Sequence, residues 1–173
     1  MAARRGFSLI ELSAVLLIAA IAAGAVAIRL GGPLAQTSLE DAVGQIAQAD
    51  QLARAYARQH GRPLVLVYQV DRNRVFRQEA DDRRPSGGVL ELPRSIRLRR
   101  VIAEGRELAS GQAELAVSRQ GYSPTYGLEL MTDKGRQVWL LAAGLTGQVS
   151  RLEHEKDLRQ ALAAAGPAGP HAD

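Results

Sequence analysis

Gly6-Phe7-Ser8-Leu9-Ile10-Glu11-Leu12 is the stretch on which the reading of this chain turns. A short polar opening, Met1 to Arg5, precedes it, and it begins a run from Phe7 to Ile28 broken only by Ser8, Glu11, Ser13 and Gly24. As a helix rising about 1.5 Å per residue, 22 residues reach roughly 33 Å. A bilayer core is about 30 Å thick, so the run predicts a spanning helix. Arg4 and Arg5 stand before it and only Arg29 close behind, which keeps the amino terminus cytoplasmic and puts the carboxy-terminal part on the other side. Ala23-Gly24-Ala25 offers a conventional signal-cleavage site as an alternative. Such signals, however, carry an apolar core of only about 7 to 15 residues.

Glu11 is the anomaly. An ionised acid at the centre of a membrane helix costs about 3 kcal/mol on insertion scales, so this one calls for headgroup water, a proton or a cationic partner. The seven quoted residues, with the polar leader before them and the apolar helix after, resemble the type IV prepilin processing signal. That resemblance implies cleavage after Gly6 by a dedicated prepilin peptidase, methylation of the new amino group of Phe7 by the same enzyme, and an assembly role for Glu11. In physical terms, the new ammonium of one subunit and the Glu11 carboxylate of its neighbour would compensate each other.

Leu30-Gly31-Gly32-Pro33 follows, and two glycines with a proline predict a kink or melted linker over residues 30–37. Thr37 and Glu40 have capping-box spacing. Leu39, Val43, Ile46, Ala49, Ala53 and Tyr56 then recur at helical intervals, predicting a second helical section to about His60. Gly61 and Pro63 end it. From Leu64 the pattern changes to strands: Leu64–Val70, Arg74–Gln78, Val89–Leu92, Ser95–Val101, Ala113–Ser118, Leu128–Met131 and Gln137–Ala142, with Gln148–Leu152 as a further candidate. Asp71-Arg72-Asn73, Pro85-Ser86-Gly87-Gly88 and Asp133-Lys134-Gly135 are turn chemistry. The expected class is α+β: a long N-terminal helix, membrane-spanning in its first half, packed on an antiparallel meander of six to eight strands. Residues 153–173 read as a weak helix over Glu153 to Ala165 and then a disordered Gly/Pro-rich tail.

Ala57-Arg58-Gln59-His60-Gly61-Arg62-Pro63, Gly121-Tyr122-Ser123-Pro124 and Thr146-Gly147-Gln148-Val149 extend the resemblance to the protein H group of type II secretion, a set of minor pseudopilins with a type IV pilin-like fold. It covers about residues 1–152. It implies a leader at 1–6, a transmembrane and assembly helix at 7–29 and a periplasmic globular domain at 38–152. The location implied is the bacterial inner membrane, crossed once. The implied partners are other pseudopilins in a filament, the prepilin peptidase and N-methyltransferase, and an inner-membrane assembly platform. Two features depart from the family pattern: no proline lies within the apolar half, and the carboxy-terminal tail runs past the usual last strand.

Nothing in the remaining sequence points to catalysis or to a cofactor. There is no cysteine, hence no disulfide and no thiolate chemistry. His60, His154 and His171 lack ligand spacing, and Asp81-Asp82 is followed by no regular array of oxygen ligands. Neither Gly87-Gly88 nor Gly121 leads into the lysine-bearing helix of a phosphate loop. The net charge of +4 owes half to Arg4 and Arg5, so it is a poor argument for nucleic acid. One cluster, Arg94, Arg97, Arg99 and Arg100, keeps a second function in view. Arg97 and Arg99 would share a strand face and could contact DNA in a minor pilin of an uptake system. Glu91, Glu104 and Glu107 dilute the cluster, and with aromatic residues at 4% of the chain, stacking platforms for bases are scarce.

Overall fold

A computed structural model describes the backbone of residues 9–166 and, on the first helix, the side chains of Ser13, Val15–Leu17 and everything from Ser38 onward. Helix α1 is Leu9–His60. Residues 30–37 are helical throughout, so of the kink or melted linker that the sequence predicted there the melted form does not occur, and Thr37 lies inside the helix instead of capping it. A proline in a helix interior removes one hydrogen bond and costs about 3 kcal/mol. Here helix flanks it on both sides, so no costly new nucleus is required. Among the described residues no helix is long and apolar enough to cross a membrane. The span expected from Phe7 to Ile28 falls largely outside the residues whose side chains are described, and the leader and the tail beyond Gly166 fall outside the description altogether.

The chain divides into two compact units, Met1–Thr37 and Ser38–Asp173. In the second, the helix buries Leu39, Ala42, Ile46, Ala53 and Ala57. Val43, Ala49 and Tyr56, placed on the same stripe by the sequence, are only partly buried. Small alanines at 42, 53 and 57 let the helix backbone approach the sheet closely. Gly61 closes the helix at φ 61°, and Arg62 N–H bonds back to the Ala57 carbonyl, as the glycine predicted.

Among the described residues ten strands follow: β1 (Leu64–Gln69), β2 (Arg74–Glu79), β3 (Asp82–Pro85), β4 (Leu90–Glu91), β5 (Ile96–Ala103), β6 (Arg106–Leu108), β7 (Gln112–Val117), β8 (Tyr126–Thr132), β9 (Gln137–Ala142) and β10 (Val149–Leu152). All pairings are antiparallel, in keeping with the expected class, but they do not form one meander. One sheet runs β3-β2-β1-β7, with β4 also on β2; the other runs β10-β9-β8-β5-β6. The non-sequential pairings β1·β7 and β5·β8 are what separate them. Short β3 and β6 escaped the sequence reading because β3 (Asp82–Pro85) is exposed along its length and β6 carries no alternating apolar pattern. Leu64, Leu66 and Tyr68 from the first sheet and Leu98, Val101, Leu128, Leu130 and Leu140 from the second meet the helix stripe in one core.

Helix α2, Glu155–Ala165, seals the far side of the second sheet. Its Leu158 is fully buried against Ile102 and Trp139. Gly127 makes room for it, since a Cβ there would stand 2.7 Å from a Leu158 methyl.

Candidate assembly site

The processing residues Gly6 and Phe7 lie outside the described residues; Glu11 belongs to α1 by its backbone, and its side chain is outside the description. What is fully described is how the second part of α1 is fixed to the globular unit. Asp50 and Arg54, one turn apart on the buried face, are 0% and 1% exposed. Arg54 Nε donates to Asp50 Oδ2 at 2.5 Å, and Nη2 donates to Asp50 Oδ1 at 3.3 Å. The guanidinium also donates through Nη1 to the carbonyls of Gly121 (3.0 Å) and Gly144 (2.5 Å), and through Nη2 to Ser123 Oγ (2.7 Å). Tyr126 Oη donates to Asp50 Oδ1 at 3.0 Å and lies 2.8 Å from Tyr68 Oη. A buried ion pair is tolerable only when its remaining donors and acceptors are met, and these are.

The two loops that carry the family resemblance meet at this pair. Gly121 and Ser123 receive Arg54 directly. Gly147, at φ 69°, passes so close that a Cβ would stand 2.6 Å from Arg54 Nε, and Gln51 Nε2 donates to its carbonyl at 2.9 Å. Gly147 is therefore there for close approach to the buried guanidinium, whereas a Cβ at Gly121, held at φ 81°, would stand 2.6 Å from Arg58 Nη1 and 3.1 Å from the Arg54 carbonyl oxygen. Burial, with the adjacent Asp50 charge, holds the Tyr126 hydroxyl well above its ordinary pKa; burial likewise raises Tyr68. Both stay neutral donors at any physiological pH.

A second polar cluster ties α2 down. Arg100 bonds to Glu129 and Glu107 and reaches Glu155 at 3.3 Å, with its guanidinium 4.9 Å from the Trp139 ring centre. Arg159 bridges Glu107 and Glu155. Hydrogen bonds from Arg100 and Arg159 hold Glu107 below the usual carboxylate range, and those from Arg159 do the same for Glu155. Partial burial pulls the Arg100 pKa down, but its glutamate hydrogen bonds outweigh this and raise it.

The arginine cluster of the sequence is thereby split. Arg97 and Arg99 are exposed on β5, whereas Arg100, just past an irregularity in the register after Leu98, pairs with Glu129 and is held by the glutamates. No group of acidic or histidine side chains able to hold a metal ion occurs among the described residues.

Residues 1–27 match the family model for the prokaryotic N-terminal methylation motif. The minor pseudopilin EpsH from the type 2 secretion system of Vibrio cholerae superposes on the chain with a TM-score of 0.51 at 13% identity, covering 66% of this chain and 95% of that one. The fold is that of a minor pseudopilin. A second structure of EpsH covers 67% of this chain and 94% of its own, at 15% identity and a TM-score of 0.48. No curated protein is significantly similar in sequence. Within this fold, the Asp50–Arg54 pair is the clamp between the long helix and the two sheets. The sequence held its signal, an acid and a base four apart within an apolar helical stripe, but as a pair on a helix it reads equally well as a solvated ion pair.

Proposed function

We propose that this chain is a minor structural subunit of a type II secretion pseudopilus, acting in protein export across the outer membrane and catalysing nothing itself. One observation carries the reading: a methylation motif over residues 1–27 is followed, in the same chain, by a minor-pseudopilin fold. Prepilin peptidase cuts after Gly6 and methylates Phe7. The segment from Phe7 holds the subunit in the inner membrane as a single pass, with the unit from Ser38 in the periplasm. The assembly platform then moves it into the filament beside other pseudopilins. There, apolar helix surface leaving the bilayer is covered by neighbouring helices, at about 25 cal/mol per Å² kept from water. Glu11 pairs with the Phe7 ammonium of an adjoining subunit and sets the register.

Glu11→Ala tests this directly. The variant should insert in the membrane in normal amount but drop out of sheared pseudopilus fractions. Unchanged incorporation would remove Glu11 from assembly.

A further inference from the structure

Four arginines come together beside the globular unit from three separate segments. Arg72 stands in the β1–β2 turn, Arg94 in the connection between β4 and β5, and Arg97 and Arg99 on β5; all four are exposed and line one groove of about 540 Å³. None is in an ion pair among the described residues, although Arg100, next in sequence, takes three glutamates. The one acidic side chain lining the groove is Asp71, and its Oδ2 already accepts from Gly111 N–H at 2.7 Å.

Asn73 builds the groove. Its Nδ2 donates to the Ile96 carbonyl at 2.7 Å and its Oδ1 accepts from Leu98 N–H at 2.8 Å. Its own carbonyl accepts from Leu92 N–H at 3.0 Å. One residue, held at φ 54°, thus fastens the turn carrying Arg72 to the strand carrying Arg97 and Arg99 and to the connection carrying Arg94. The cations are positioned against their mutual repulsion before any ligand arrives, which lowers the ordering cost of binding.

We propose that this groove docks an acidic segment of a partner protein, its carboxylates taken by the guanidinium forks of Arg72, Arg94, Arg97 and Arg99. Planar carboxylates match those forks in pairs of parallel hydrogen bonds. Nucleic acid fits less well: no aromatic side chain lines the groove for base stacking. A lipid surface also fits less well, because none of the exposed large apolar residues of the globular unit, Leu52, Val89, Tyr122 and Leu145, lines it. The inference does not depend on the filament reading, and a subunit that failed to assemble could still bind in this way.

The test is fluorescence anisotropy of a short glutamate-rich peptide titrated with the full chain in nonionic detergent. Arg97→Glu with Arg99→Glu should weaken binding by about tenfold or more. Arg106→Glu with Arg119→Glu, which reverses two exposed arginines outside the groove, should leave it within about twofold. Both variants should keep the wild-type melting temperature, being surface changes. The proposal is overturned if the peptide does not bind at low salt, if both pairs weaken it equally, or if duplex DNA or anionic vesicles of matched charge compete for the groove more tightly than the peptide.

Discussion

Replacing Arg54 by Met would leave the Asp50 carboxylate buried with only the Tyr126 hydroxyl and the helix around it. Removing one partner of a buried pair costs about 3–5 kcal/mol, so Arg54→Met should lower the urea midpoint sharply, followed by the fluorescence of the single tryptophan, Trp139. Adding Asp50→Asn should restore part of the loss, since the orphaned charge is then gone. An equal loss in the double variant would mean that the carbonyls of Gly121 and Gly144 are the partners that matter. Gly147→Ala meets both a left-handed φ of 69° and the Arg54 guanidinium, and should destabilise by more than about 1 kcal/mol in the same assay. At this scale the sequence was only partly legible. Gly61 announced its left-handed cap, because a glycine after a helical stripe has few other uses. Asp50 and Arg54 did not announce their burial, because what satisfies them comes from loops more than sixty residues away.

Helix α2 is held by Leu158 in the space left by Gly127 and by the glutamates around Arg100 and Arg159. Glu107 and Glu155 have folded-state pKa values below their ordinary value of about 4.3. The folded state therefore binds fewer protons than the unfolded, and this contribution is present above about pH 4.3 and lost as the pH falls through the depressed values. Acid titration should change Trp139 emission, as α2 loosens, before the rest of the unit unfolds. A single transition shared with far-ultraviolet circular dichroism would contradict a separately held helix. At the other end, Tyr68 and Tyr126 titrate above their ordinary value of about 10, so their contribution is full below pH 10 and declines as the pH rises beyond it. Leu158→Ala should cost about 2–5 kcal/mol and make the carboxy-terminal helix the first site of limited proteolysis. Strands with a buried face, such as Leu64–Gln69 and Gln137–Ala142, were readable from alternation or apolar runs. Their distribution between two sheets was not, since β1·β7 and β5·β8 join segments that no local pattern connects.

At the scale of the whole molecule, the globular unit from Ser38 has its own core and its own polar clamps on α1, while residues 1–27 carry the methylation motif. On the function proposed above, the amino-terminal segment serves first in a bilayer and then in a bundle of its own kind, and the chemistry is carried out on this protein, at one peptide bond and one amino group. The decisive measurement is the intact mass of the protein purified from its host's envelope. The account predicts a chain that begins at Phe7 and is heavier by a single methyl group; a chain that still carries Met1 to Gly6 would contradict it.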